Sequence, residues 1–189
     1  MQNSLAILIL AAGSSSRLGH PKQLVPYQNE TLLRRSAKQA LELSSNVFVV
    51  LGHAYEACLE SLEGLDVTPL YHENYAKGIG SSIAFGILHT RLFEETLIML
   101  CDQPLIPLEH YRSLKNLTSK DLIGASLYQP KGRLAVPAIF PKRYYDTLMT
   151  LEGDKGAQML LGGECLHVSL EKDYTVDIDT LEDVEKYLQ

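Results

Sequence analysis

Six consecutive apolar residues, Leu5 to Leu10, leave no polar position that could face water. A strand with one wet face alternates polar and apolar side chains; one without alternation is covered on both faces, the usual condition in a parallel sheet. The pattern recurs. Val47 to Leu51 and Thr96 to Leu100 read as further buried strands, and shorter strands are expected at Val67–Tyr71, Leu122–Leu127 and Cys165–Leu170. Helical spacing fills the intervals. Glu30–Leu43 carries Leu32, Leu33, Ser36, Ala37, Ala40 and Leu41 at positions that share a face, and Ala54–Leu62, Ser81–Leu92 and Pro107–Leu117 follow. Further helical stretches are expected at Lys142–Thr150 and Lys155–Leu161, and a last helix starts at Thr180, with Thr180 or Asp179 as its N-cap. Strands alternating with helices in this way predict an α/β fold, a three-layer α/β/α sandwich. Gln129–Pro141 interrupts the alternation with three prolines and a glycine, and is expected to add a turn and an edge strand or hairpin. No linker, repeat or low-complexity segment divides the sequence, so one domain over residues 1–189 is expected.

Composition narrows the partners. Seventeen basic against 23 acidic residues give a net charge of −6, which disfavours non-specific binding to nucleic acid or to an anionic membrane. Cys58, Cys101 and Cys165 are an odd number and far apart, so they suggest neither a disulfide framework nor a CxxC metal pair. The apolar run Leu5–Ala12 has no Lys or Arg before it, is short for a signal peptide and is too short to span a bilayer. A cytoplasmic protein is expected.

The loop after the first strand carries the chemistry. Gly13, Ser14, Ser15, Ser16, Arg17, Gly19 and Lys22 follow a buried strand directly, at the sheet edge where open α/β sheets bind ligands. Successive backbone N–H groups there can form an anion-binding concavity, Arg17 offers a forked guanidinium, and Lys22 a compact charge. No acidic residue precedes Glu30, so the loop is positive within an acidic chain. A solvated turn would have the same glycines and serines, but not the two cations. Gly19 is followed by His20-Pro21-Lys22, which departs from the P-loop GxxxxGK[ST], and the GxGxxG of dinucleotide folds is absent.

The motifs resemble those of the MobA-like nucleotidyltransferases, and most closely the molybdenum cofactor cytidylyltransferase branch. Leu10-Ala-Ala-Gly13, Ser15, Arg17, Leu18-Gly19, Pro21-Lys22 and Leu24 match that family's LAAGxSxRMGxPKxLL. Asn74 to Ser82 is similar to NxxWxxGMGSSL, Cys101-Asp-Gln-Pro104 to (G/C)DQP, Gly153-Asp-Lys-Gly156 to GDxG, and Asp177-Ile-Asp-Thr180 with Glu182-Asp183 to DIDTPED. The resemblance implies a mostly parallel, Rossmann-like sheet of the nucleotide-diphospho-sugar transferase type. It further implies that Leu10, Ala11, Ala12, Gly13, Arg17, Lys22, Gly80, Ser81 and Ser82 contact a nucleoside triphosphate. Helix capping alone would also explain the last three. LAAG is typical of pyrimidine-nucleotide users in such families, so Ala12 points to CTP.

Asp102 follows a buried strand, which would bring its carboxylate to the same sheet edge; a hard oxygen ligand there suits Mg²⁺ together with substrate phosphates. The resemblance adds a second ligand from the DID pair. Asp177 is preferred, because Asp179 stands where it could cap the last helix. Arg17, Lys22, Asp102, Asp177 and Mg²⁺ would serve displacement at an α-phosphorus, with pyrophosphate leaving. No His pair with metal spacing occurs, and a phosphate acceptor, already ionised at pH 7, needs no base. The expected activity is Mg²⁺-dependent transfer of CMP from CTP to a phosphorylated small molecule, with the molybdenum cofactor favoured. A molybdoenzyme or its chaperone would then be a possible partner. A sugar or alditol phosphate acceptor, or a non-catalytic nucleotide-binding accessory protein, are the alternatives. Relatives often have RGHPV where this chain has Arg133-Leu-Ala-Val-Pro137, so Ala135 and Val136 replace a Gly-His pair on the stretch expected to face the acceptor.

Overall fold

A computed structural model describes residues 5–117 and 119–188. The chain runs β1 (Leu5–Ala11), β2 (Pro26–Tyr27), β3 (Glu30–Thr31), α1 (Leu32–Leu41), β4 (Val47–Leu51), α2 (Tyr55–Ser61), β5 (Thr68–Tyr71), α3 (Ile79–Thr90), β6 (Glu95–Leu100), α4 (Leu108–Lys115), β7 (Ile123–Tyr128), β8 (Arg133–Pro141), α5 (Tyr145–Leu148), β9 (Cys165–Leu170) and α6 (Leu181–Tyr187), with short 3₁₀ turns between. Seven strands form one sheet in the order β5-β4-β1-β6-β8-β7-β9. Every pairing is parallel except those of β8, which runs antiparallel to both β6 and β7.

Both faces of β1 are covered, as its lack of alternation requires. Leu5, Ile7, Ile9 and Ala11 pack with Leu33, Ala37 and Ala40 of α1 and with Tyr111 and Leu114 of α4. Leu8 and Leu10 face the opposite way, onto Ile83 and Ile87 of α3 and Leu148 of α5. The result is the three-layer sandwich with a mostly parallel, Rossmann-like sheet. Gly86 lets α3 approach closely: a β-carbon there would stand 2.5 Å from the Leu8 side chain. Among the described residues no helix is long and apolar enough to cross a membrane.

The segment expected to add a turn and an edge strand or hairpin forms the hairpin: β7 turns back into β8, which lies inside the sheet and not at an edge. β8 inserts between β6 and β7, and its internal proline, Pro137, is accommodated because the ladder with β7 skips it, while Pro141 pairs with Glu95 at the last position of the strand. Ala138 pairs with Ala125 and Ala135 with the next residue, Ser126, leaving Val136 and Pro137 in a bulge. Pairing with β6 runs only from Ala138 to Pro141. A proline in a bulge forfeits no ladder hydrogen bond, which is why Pro137 does not exile the strand to an edge.

Two other boundaries differ from expectation. The first helix begins at Leu32, because Glu30 and Thr31 pair with Tyr27 and Pro26 in a small hairpin and Thr31 caps the helix by accepting from the Arg34 N–H at 3.1 Å. The expected helix at Lys155–Leu161 is a pair of 3₁₀ turns over Gly153–Gly162, broken at Gly156, whose φ of +53° suits glycine.

The topology locates a crevice. From β1 the chain moves outward through β4 to β5, then returns to place β6 on the other side of β1. Beyond the carboxyl ends of β1 and β6, neighbouring strands lead away in opposite directions, and such a switch point is where open α/β sheets bind ligands.

Candidate active site

Residues from the two strands flanking the switch point meet those of the C-terminal segment. After β1 the loop is tied down by Gln23, whose buried amide donates to the carbonyls of Ala11 and Gly13, 2.8 Å each. Ser15, at φ +54°, accepts from the Lys22 N–H at 3.0 Å, curling the loop so that Lys22 turns back toward the sheet. Its ammonium donates to Asp102, just beyond β6, and to Asp179 Oδ1 at 3.0 Å. Arg17 donates to the other oxygen of Asp179 at 2.8 Å. Burial alone would push Lys22 down, but Asp102 and Asp179 outweigh it and hold the ammonium above the usual lysine range.

The C-terminal segment is drawn in by its backbone and by one apolar anchor. Ile178 N–H donates to the Asp102 carbonyl at 2.9 Å, and the fully buried Ile178 side chain packs with Leu18, Val25 and Leu32. Its neighbours diverge. Asp179 takes the two cations, while Asp177 accepts from the Gln103 amide at 2.8 Å. Burial and the nearby charge of Asp102 push Asp177 above the usual carboxylate range, opposed by the Gln103 hydrogen bond and Lys22. Asp179 does not cap the last helix. Thr180 does, in a capping box with Asp183, whose carboxylate also accepts from the Asp179 N–H. The two aspartates therefore differ in their surroundings: both Asp179 oxygens are taken by cations, while Asp177 is held by Gln103 within reach of the Asp102 charge.

Two cavities meet at this cluster. The first, about 500 Å³, is lined by Leu10, Ala11, Ala12 and Gly13, with Lys22, Asp102 and Ser82 around it. The second, about 170 Å³, holds Asp177, Gln103, Tyr128, Arg133, Val136 and Lys155. Leu10, Leu100, Ile79 and Asp154 line both. A larger groove of about 780 Å³ over α2 and the region before β5 contains none of the motif residues.

Several expected contacts take another form. Arg17 is exposed at the edge and lines neither cavity. Gly80 faces Glu152, where a β-carbon would lie 2.7 Å from the carbonyl oxygen, so it serves close backbone packing. Ser81 turns away from the cleft and bonds to His72 and Gly78. Gln23, Tyr75, Asp154 and Tyr128 also line the two cavities, without having stood out in the sequence as candidates. Tyr75 and Asp154 lie within the matched motifs and could have been found there; nothing in the sequence marks Gln23.

Asp102 and Asp177 suit a hard divalent cation. Asp102 Oδ1 is buried without a hydrogen-bond partner, and an acceptor-only oxygen left so calls for a cation or donor. Among the described residues no group of three or more His, Cys, Asp or Glu could form an all-protein cage.

A positive loop and a strand-end carboxylate at the switch point of such a sandwich suit a nucleotidyltransferase, and the family match makes the chain one. The chain belongs to the family of the MobA-like NTP transferase domain, whose model matches residues 7–170. It is 26% identical over 192 residues to the purine catabolism protein PucB of Bacillus subtilis, covering 95% of this chain and 92% of that protein. It is also 26% identical over 184 residues to the molybdenum cofactor cytidylyltransferase of Escherichia coli, covering 96% and 94%. The crystal structure of Rv0371c from Mycobacterium tuberculosis superposes with a TM-score of 0.87 at 24% identity, covering 100% of this chain and 99% of that one. A second structure of that protein is a complex with manganese, with a TM-score of 0.80 at 24% identity, covering 98% of each chain.

Proposed function

We propose that this nucleotidyltransferase moves CMP from CTP onto a phosphorylated acceptor, with Mg²⁺, and that the acceptor is the molybdenum cofactor. The observation that carries the reading is the cluster Lys22–Asp102–Asp179–Arg17 beside Asp177, where the two cavities meet. The larger cavity, walled by Leu10 to Gly13, would seat the nucleotide; the smaller, with Arg133 and Lys155 at its walls, would take the anionic acceptor.

Lys22 and Arg17 would neutralise the β- and γ-phosphates, exchanging the Asp179 carboxylate for phosphate oxygens as the triphosphate enters. An acceptor phosphate oxygen, already ionised, attacks the α-phosphorus as the bond to pyrophosphate breaks. Lys22 then carries the charge that develops on the leaving group. No base is required, so the residues contribute position and charge. Asp102 and Asp177 would hold Mg²⁺, which when bound offsets the repulsion between the two phosphates and polarises phosphorus. Gln103 and Tyr128 hold Asp177 in place: the Gln103 amide bridges the two at 2.8 Å each, and Tyr128 donates to the Val136 carbonyl at 2.6 Å.

The named cytidylyltransferase relative and Ala12 support CTP and the molybdenum cofactor. The manganese complex of Rv0371c supports a divalent ion. One local feature favours a second acceptor, a sugar or alditol phosphate: Val136 stands in the smaller cavity where relatives have histidine. Without a membrane-crossing helix among the described residues, a cytoplasmic single-domain enzyme fits this role. Pyrophosphate release is measured with each NTP, Mg²⁺ and a panel of molybdopterin, sugar phosphates and alditol phosphates. CTP with molybdopterin should give the highest rate. A preference for another acceptor would replace that part of the reading, and no release with any pair would overturn the transfer itself.

A further inference from the structure

His72 lies at the carboxyl end of β5, outside every motif of the family resemblance, yet it is 6% exposed and bonded on three sides. Its N–H donates to the Leu51 carbonyl at 2.8 Å, tying it to β4, and its carbonyl accepts from the Tyr75 N–H at 3.2 Å, opening the turn that leads to Gly78. Its ring stacks on Phe85 of α3, with centroids 4.7 Å apart and planes at 19°. Nε2 meets Ser81 Oγ at 3.0 Å. The Ser81 hydroxyl also faces two carbonyls, Gly78 at 2.9 Å and Asn74 at 3.3 Å, which can only accept; its one proton serves them when the ring takes the Nε2–H tautomer and donates to it. Burial and the charge of Lys77 push His72 below the usual histidine range, so the neutral ring is the form that packs there.

The segment held this way is a wall of the larger cavity: Tyr75, Ala76, Gly78, Ile79 and Ser82 line it. Gly78, at φ +100°, lies so close to the backbone of Gly153 and to Asp154 that a β-carbon would stand 2.5 Å from the former. The wall is thus wedged on one side by backbone, and on the other it depends on the Ser81 hydroxyl and the ring behind it. We propose that His72 and Ser81 are positioning residues, a two-residue latch that fixes the Tyr75–Ser82 wall in its nucleotide-binding form without touching the nucleotide. The inference rests on the reading of that cavity as the triphosphate site.

A latch acting on ground-state binding raises KM and leaves kcat in place. Calorimetry with CTP and Mg²⁺, together with steady-state rates, is carried out on wild type, His72→Phe, Ser81→Ala and the double variant. His72→Phe keeps the stacking and loses the donor; Ser81→Ala removes one hydroxyl from a helix start and keeps the fold even if the first variant does not. Each should weaken CTP binding about tenfold, with kcat within about twofold, since uniform binding energy alone is lost. The double variant should be no worse than the weaker single, because both remove one interaction. His72→Gln, which restores an N–H near the same place, should recover most of the affinity. Wild-type CTP affinity in both single variants, or losses that add in the double, would overturn the latch alone. Failure of the wild-type protein to bind any NTP would overturn the cavity reading and the latch with it.

Discussion

Asp179 accepts from both cations of the first loop, and Lys22 donates to two carboxylates, so each charge in the cluster is compensated before any substrate arrives. Removing one partner of a largely buried pair costs more than the pair contributes, because the survivor stays desolvated. Lys22→Met is therefore expected to lower stability by about 3 kcal/mol and to abolish transfer. Adding Asp102→Asn should recover much of the stability in urea titrations and none of the activity. Asp177 behaves oppositely. Its folded pKa is raised, so the folded state holds the proton more tightly, and ionisation becomes a cost as pH rises through the carboxylate range. Asp177→Asn should raise the unfolding midpoint at pH 7, with the gain vanishing below the ordinary carboxylate pKa. The same substitution should weaken Mn²⁺ binding. A proposed metal ligand that costs stability is a functional residue by that criterion.

At the scale of elements, the close approaches and the inserted strand make the site. Gly80 at the start of α3 meets the Glu152 backbone, and neither can yield as a side chain would. Gly80→Ala should cost about 1–3 kcal/mol by thermal denaturation and weaken nucleotide binding, since α3 carries Ser82 into the larger cavity. β8 is tied to its neighbours through a buried chain: His110 of α4 meets Ser126 Oγ at 2.8 Å, and that hydroxyl donates to the Pro137 carbonyl at 2.7 Å. Burial pushes His110 down to about 4. Its depressed pKa gives stability that is complete above the unfolded value of 6.5 and is lost as pH falls toward 4. Denaturant midpoints should fall across that window, and His110→Gln should flatten the slope.

For the whole molecule, what the sequence made legible was whatever depends on local pattern. Unbroken apolar runs marked β1, β4 and β6, and the loop after β1 and Asp102 after β6 placed two halves of the site at one sheet edge. Pairing partners are not local. Nothing in Arg133–Pro141 announces that Pro137 falls in a bulge opposite Ala125 and Ser126, so edge strand and hairpin both stood open there, and pairing alone makes the segment a hairpin whose second strand is interior. Gly80, Ser81 and Ser82 are adjacent in sequence, yet on a helix they point to Glu152, His72 and the cavity in turn, and only tertiary packing separates those roles. The division of labour between Asp177 and Asp179 likewise follows from Ile178 docking between them. The molecule that results places two cavities beside one carboxylate cluster, and the proposed transfer would occur across it. The direct measurement is single-turnover transfer of labelled CMP from CTP to acceptor, with Mg²⁺, by wild type and by Asp102→Asn. Mg²⁺-dependent transfer by wild type is expected, with a loss of at least about a hundredfold in the variant, the scale of losing an electrostatic group at a transition state. Transfer by Asp102→Asn at the wild-type rate would contradict that expectation.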